Sequence, residues 1–184
     1  MLIEDDTFKL RIVKDDSFKI NSTDNLPYDI ILNPNNFQST DYYKAFYISI
    51  EKENIKKQIA LIGSLFGADE CVAILDSNDL IVIMNTSIIV INCYTLTIKK
   101  HVLLPENGIY FSIERYCDGY IVYGELDVVK LSKDLEIDWS FAGFDIFITN
   151  NGSIPFLIEG ENILLTDWMG NKYKLDKFGH NIFN

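Results

Sequence analysis

The sequence has few basic side chains, no long apolar run and no recognisable catalytic motif. Its 16 Lys and Arg residues stand against 27 Asp and Glu residues, which gives a formal net charge of −11 over 184 residues. Because binding to a phosphate backbone requires positive charge, we expect neither DNA nor RNA as a direct partner. The same sign of charge disfavours an anionic membrane surface. A basic protein is the kind of partner that this charge favours.

The sequence leads us to expect neither a membrane-spanning nor a secretory segment. The longest apolar run, Leu80–Ile91, is interrupted by polar residues at 85–87, and a membrane helix needs about 20 apolar residues. The start, MLIEDDTFKLRIV, is acidic and alternating, which is not the pattern of a signal peptide. Cysteine is scarce, odd in number and widely spaced, at Cys71, Cys93 and Cys117. We therefore expect a cytoplasmic protein with buried, reduced thiols.

The motifs that carry common enzyme chemistry are absent. The chain has no nucleophile elbow, phosphate loop, zincin helix or paired CxxC. His101 and His180 have no neighbouring metal-ligand residues and are predicted to be solvated, and DSNDL at Asp76–Leu80 is predicted to be a hairpin turn rather than a calcium loop. We expect no cofactor, no metal and no catalytic site. Two carboxylates facing a cleft would suffice for glycoside hydrolysis, so a carboxylate-using enzyme is kept as a third hypothesis.

The hydrophobic pattern predicts an all-β fold. Helical spacing of apolar residues is nearly absent, whereas alternating or short β-branched runs recur along the chain. The 12 Phe and 10 Tyr residues, together with abundant Ile and Val, suit a pleated sheet.

Three stretches of the sequence align with an offset of about forty residues: Glu70–Leu104, Ile109–Gly143 and Ile154–Phe183. Each one reads as three short strands joined by tight turns, followed by a more polar fourth strand. A period of about 40 residues with four strands is typical of a propeller blade. Three copies do not close a propeller, which leaves two architectures. We prefer an incomplete or four-bladed propeller over a twisted β-sandwich made of the same meanders.

The first 69 residues are predicted to contain two hairpins and a long loop. The first hairpin is TFKLRIVKDDSFKI (7–20), in which DDTFK and DDSFK recur ten residues apart, and the second spans 43–66 with a turn at Lys52–Asn54. Between them, residues 21–43 are rich in Asn, Asp and Pro and are predicted to be irregular. We predict one domain over 1–184, with these hairpins at 1–69 and the three repeats at 70–184.

Acidic residues concentrate in the predicted turns, and five of them form a candidate contact set: Glu125, Asp127, Asp134, Glu136 and Asp138. The last three alternate, so we expect them on one side of a strand, with Leu135, Ile137 and Trp139 on the other. Two interpretations stay open. The carboxylates either keep strand edges from pairing with other chains, or form a docking face for a cationic partner.

The two tryptophans have different predicted roles. Trp139 closes the second repeat and is expected in the core. Trp168, in TDWMGN, is expected at the tip of a hairpin turn, either as an exposed binding anchor or as a cap on the sheet.

The stretch GYIVYGELDVVKLSKDLEIDW (119–139) resembles blades of quinoprotein-like and Trp-Asp repeat propellers in strand order and closing Trp. It lacks the Gly-His pair of Trp-Asp repeats, and it lacks the characteristic ending of quinoprotein-like blades. As a whole, this small, acidic β-rich chain with many Asn, Ile and Lys residues resembles the immunity proteins of bacterial contact-dependent and polymorphic toxin systems. The resemblance implies a cytoplasmic protein that binds and blocks a cognate toxin, and many such toxins are basic nucleases. The alternative is a non-catalytic scaffold or regulatory module in a larger assembly.

Overall fold

The computed structural model describes residues 1–38, 44–63, 72–84, 86–105, 108–149 and 152–183. These residues form sixteen β-strands and no helix, so the predicted all-β fold is confirmed. It follows that the described part of the chain contains no helix long and apolar enough to cross a membrane.

The strands are, in chain order, β1 Leu2–Glu4, β2 Lys9–Asp15, β3 Ile30–Leu32, β4 Lys44–Lys52, β5 Ile55–Gly63, β6 Ala73–Asp76, β7 Asp79–Met84, β8 Ser87–Asn92, β9 Ile98–Leu103, β10 Tyr110–Tyr116, β11 Gly119–Gly124, β12 Asp127–Leu131, β13 Ile137–Ala142, β14 Phe156–Glu159, β15 Asn162–Thr166 and β16 Lys172–Leu175.

The chain divides into two compact units, Met1–Leu104 and Pro105–Asn184. The first unit contains a five-stranded sheet of order β1-β2-β4-β5-β3 and the four-stranded meander β6–β9. The second contains the four-stranded meander β10–β13 and the three-stranded meander β14–β16. The first repeat thus belongs to the same compact unit as the amino-terminal hairpins. The prediction of a single domain stays a prediction.

Each predicted repeat is an antiparallel meander in which consecutive strands pair in order. The third copy differs from the prediction because it has no fourth strand. The turn after β16 occupies the next residues, and Asn181 then makes a single bridge to Leu175. The choice between a propeller and a sandwich stays a prediction.

The third strands of the repeats end in related turns, which explains why their sequences align. The amide of Ser132 donates a hydrogen bond to the carbonyl of Glu136 (2.8 Å), and the amide of Leu135 donates to the carbonyl of Ser132 (3.0 Å). In the third repeat Asp176 takes the place of Ser132, and its amide donates to the carbonyl of His180 (3.0 Å). A short polar side chain suits this position because it can also accept from the turn's own amides.

One residue of each of these turns has a left-handed backbone: Leu96, Leu135 and Gly179, with φ of 58°, 61° and 80°. The two leucines are buried, so their side chains fill the space under the turn. At Gly179 a Cβ would lie 2.7 Å from the indole of Trp139. The indole thus occupies that space in the third repeat, and only glycine fits beside it.

Apolar side chains from the inner faces of the sheets form a core in each unit. The core of the first unit joins the five-stranded sheet to the first meander, through residues that include Leu10, Ile12, Ile48, Ile59, Leu80, Val82 and Ile89. The second unit has its own cluster, which includes Ile121, Val128, Phe147, Ile163, Leu165 and Leu175. Full burial of one such side chain is worth about 1.5–3 kcal/mol, so these faces fix the register of the strands.

The prediction of a hairpin within residues 7–20 is wrong. Strand β2 runs without a turn and pairs with β1 and β4. The repeated pentapeptides form turns instead. The Asp5 carboxylate accepts hydrogen bonds from the amides of Thr7 and Phe8 (both 2.7 Å), and Asp15 accepts from the amide of Ser17 (2.9 Å). In both copies, an aspartate caps the backbone where a strand ends.

The second predicted hairpin is confirmed, because Lys52 pairs with Ile55 around a two-residue turn. The segment predicted to be irregular contains a strand, β3, which pairs in parallel with β5 and places Ile30 beside Ile59. A strand of three residues is too short for an alternation of apolar and polar residues to be recognised in the sequence. Residues 39–43 of that segment lie outside the described residues.

In the part of the chain that the structure describes, four of the two-residue hairpin turns begin with a residue that has a positive φ. These first residues are Glu53, Ser77, Cys117 and Gly160, with φ of 52°, 56°, 50° and 61°. A left-handed backbone costs an L-residue about 1–2 kcal/mol, and glycine is free of that cost.

We therefore expect Ser77→Gly to raise the free energy of unfolding by about 0.5–1 kcal/mol. Gly160→Ala should lower it by about 1 kcal/mol through backbone strain alone, because a Cβ there meets nothing within 4 Å. Urea denaturation measures both changes. Ser140→Gly, at an exposed position inside strand β13, is the matched control and should destabilise the protein. A loss of stability in Ser77→Gly as large as that in Ser140→Gly would contradict the strained turn.

Candidate functional site

The carboxylates of the candidate contact set do not form one exposed face. Asp127, at the start of β12, is buried with an exposed fraction of 1%. Its Oδ2 accepts a hydrogen bond from the hydroxyl of Tyr110 (3.2 Å). Glu125 is half-buried, and its carbonyl accepts from the amide of Phe147 (2.6 Å). Asp127 therefore presents no carboxylate to a partner, although the sequence placed it beside Glu125 in an acidic turn.

The predicted alternation of Asp134, Glu136 and Asp138 along one strand is wrong. Strand β13 begins only at Ile137, and Asp134 lies in the preceding turn. The left-handed backbone of Leu135 breaks the period of two, so that Leu135 is buried while Ile137 is exposed. All three carboxylates are nevertheless at the surface.

Asp138 belongs to an ion cluster around a buried lysine. The Nζ atom of Lys130 lies 3.1 Å from Asp138 Oδ2 and 3.2 Å from Asp118 Oδ1, and it donates to the carbonyl of Leu131 (2.8 Å). The lysine side chain is 4% exposed, whereas both carboxylates reach solvent. The hydrogen bond from Lys130 holds the pKa of Asp118 below its usual value. A lone lysine in the apolar run VVKL is the sequence signal that could have revealed this cluster.

The ion cluster lies in an open cleft of about 710 Å³, whose other lining residues include Trp139, Glu161 and Lys177. Lys177 pairs with Glu161 (3.1 Å), and the indole N–H of Trp139 donates to the carbonyl of Lys177 (3.0 Å). A glycosidase needs one carboxyl group whose pKa is raised enough to donate a proton. Here Asp118 shares the Lys130 ammonium with Asp138 and has a lowered pKa, so Asp118 does not provide that acid.

The turn between β15 and β16 is built around a buried carboxylate, that of Asp167. Its Oδ1 accepts from the amide of Asn171 (2.8 Å), and its Oδ2 accepts from the Asn171 side chain (2.9 Å) and the hydroxyl of Tyr173 (2.7 Å). Burial alone would raise the pKa of Asp167, but the hydrogen bonds from Asn171 and Tyr173 outweigh it and hold the pKa below its usual value. Asp167 is therefore an anion inside the turn.

The hydroxyl of Tyr173 also ties a second turn to this one, because it accepts a hydrogen bond from the amide of Phe144 (2.9 Å). The two turns together expose three large apolar side chains, which we call the apolar patch: Phe144, Trp168 and Met169, with exposed fractions of 91%, 44% and 72%. Trp168 thus lies on an exposed turn, as the sequence predicts. Its role in binding stays a prediction.

The remaining candidate residues are the histidines and the cysteines. His101 and His180 are exposed, as predicted. Cys93 is buried, which raises the pKa of its thiol to about 12, but Cys117 is exposed because it occupies the tip of a hairpin. That exposure corrects the prediction of buried thiols, and Cys71 lies outside the described residues. Within the described ranges, no group of three or more His, Cys, Asp or Glu residues could hold a metal ion.

No family model and no curated protein matches this chain.

The buried anion gives a prediction about stability and pH. Asp167→Asn should lower the free energy of unfolding at pH 7 by about 1–3 kcal/mol, because the amide cannot accept all of the hydrogen bonds. A depressed pKa stabilises the fold above the unfolded-state value of about 3.9, and that stability is lost as the pH falls through the folded-state value. The gap between wild type and variant should therefore narrow from pH 7 to about pH 2.5 in urea denaturation. Asp24→Asn, at an exposed site, should change little. An equal gap at both pH values would contradict the anionic turn.

Proposed function

We propose that this chain is a cytoplasmic immunity protein of a bacterial contact-dependent or polymorphic toxin system, which binds and inhibits a basic, nuclease-type toxin. The observation that carries the proposal is the distribution of charge. The second unit has 13 acidic and 6 basic side chains in 80 residues, whereas the first has 14 and 10 in 104. The acidic excess is thus concentrated in the unit that also exposes the apolar patch.

Such a surface can inhibit a nuclease by competing for the groups that hold its substrate. A nuclease binds phosphates through Lys and Arg, and carboxylates can pair with the same side chains. Exposed carboxylates at Asp134 and Glu136 would attract the toxin over the screening length of about 8–10 Å and speed the encounter. The bound protein would then cover the active site.

A scaffold or regulatory module in a larger assembly is the alternative function. The three meanders favour it, because each one offers a sheet surface for packing against other proteins. The two functions differ in what happens to the partner, since a scaffold does not abolish its partner's activity.

The test is to express the protein encoded immediately upstream of this chain, alone and together with this chain. We expect the upstream protein to be basic and to arrest growth alone, and co-expression to restore growth. Binding without any loss of the partner's activity would favour the scaffold, and an upstream protein that is neither toxic nor bound would contradict the proposal.

The contribution of charge can be measured with that partner. Asp134→Asn with Glu136→Gln should slow association by roughly two- to fivefold at low salt and flatten its salt dependence, with less effect on dissociation. Asp138 is left unchanged because it neutralises Lys130. The control is Asp6→Asn with Asp24→Asn, two exposed carboxylates of the first unit. If both pairs slow association equally, net charge alone acts and this surface is not the site.

A further inference from the structure

The apolar patch places three large apolar side chains on two turns that are hydrogen-bonded to each other. Phe144, Trp168 and Met169 keep 91%, 44% and 72% of their surface in contact with solvent. Phe144 and Met169 line an open groove of about 720 Å³ together with Gly143 and Tyr173. Large apolar side chains gathered in this way, with an aromatic residue among them, are typical of binding sites.

The patch is held in place by hydrogen bonds beneath it. Tyr173 joins the turn that carries Phe144 to Asp167, which anchors the turn that carries Trp168 and Met169. The amide of Trp168 also donates to the carbonyl of Ile146 (2.8 Å), in the loop that follows Phe144. A partner would therefore meet side chains whose backbone is already ordered, which lowers the entropy cost of binding.

The charge under the patch indicates what kind of group it would bind. Within the ranges that the structure describes, the hydrogen-bond partners of the Asp167 carboxylate are the neutral groups of Asn171, Met169 and Tyr173. Lys130, a buried lysine of the same unit, has two carboxylates beside it. Among the described residues, no cationic side chain pairs with the Asp167 anion, and a cation placed over the turn would supply a counter-ion.

The net negative charge of the chain also favours some binding partners of the groove over others. A second copy of this chain would bring two acidic units together, and an anionic membrane would be repelled in the same way. A basic protein is attracted. An arginine suits the groove best, because its planar guanidinium stacks on aromatic rings while its aliphatic stem packs against apolar side chains.

We propose that the apolar patch is the anchor site for an arginine side chain of a basic protein partner, held between Phe144 and Met169 beside Trp168 and over the Asp167 carboxylate. The identity of that partner rests on the proposed function. The recognition of arginine by the patch does not.

The first test uses the peptide Ac-Gly-Leu-Arg-Leu-Gly-NH2 and a matched peptide in which citrulline replaces arginine, with the same shape and no charge. We expect the arginine peptide to shift the NMR signals of the Trp168 indole N–H and the Met169 methyl group. It should bind at least about fivefold more tightly than the citrulline peptide, and the difference should shrink at high salt. Equal affinity for the two peptides, or shifts confined to other residues, would overturn the proposal.

Variants then locate the site. Phe144→Ser and Met169→Ser should each weaken binding of the arginine peptide at least about fivefold, because both side chains are exposed walls of the groove. Ile154→Ser is the control, since Ile154 is 70% exposed in the same unit and is not part of the groove. Urea denaturation should show that all three variants stay folded. An equal loss of affinity in the control would count against the patch.

The same variants separate this inference from the proposed function when they are assayed with the protein encoded upstream. If that protein is inhibited with unchanged affinity by Phe144→Ser and Met169→Ser, the anchor site is wrong and the function stands. If the upstream protein is not bound but the arginine peptide is, the function is wrong and the anchor site stands.

Discussion

The tight turn is the constraint on which the rest of this structure depends. Most strands of the three meanders have only four to six residues, so the chain has to reverse often and within two to five residues. Each reversal needs a residue that tolerates a left-handed backbone or a side chain that caps free amides. The chain uses both devices: Ser77 and Gly160 take the left-handed conformation, and Asp5, Asp15 and Asp176 accept hydrogen bonds from amides. The acidic residues of the turns are thus partly structural.

That double use explains why acidic composition and acidic surface are different things in this protein. Asp167 builds a turn from inside, and Asp127 is buried against Tyr110, so neither adds a carboxylate to the surface. Asp138 does reach solvent, but the ammonium of Lys130 neutralises part of its charge. A count of charges therefore overstates the attraction that a partner would meet. Three members of the predicted set, Asp134, Glu136 and Asp138, are exposed, and Glu125 is half-buried.

More of the fold than of the candidate site could be predicted from the sequence. Repeats are visible in sequence because each meander needs the same succession of apolar strands and turn residues, and the turns at Ser132 and Asp176 keep that succession in register. The alternation of Asp134, Glu136 and Asp138 predicted a strand wrongly. The left-handed backbone of Leu135 shifts by one position the residues that face the core. The link from Tyr173 to Phe144 joins residues 29 apart, and nothing local in the sequence records it. Contacts of that kind depend on tertiary packing, so the apolar patch became visible only in the structure.

Charge and apolar surface have complementary roles in the binding that we propose. Long-range attraction raises the rate of encounter but is screened by salt and discriminates poorly among basic proteins. The residence time of a bound partner depends on contacts that exclude water, and exposed carboxylates provide few such contacts. The patch formed by Phe144, Trp168 and Met169 supplies those contacts, and Asp167 beneath it supplies a charge that salt screens less than a surface charge. An acidic protein that must hold one basic partner needs both parts, and the second unit of this chain contains both.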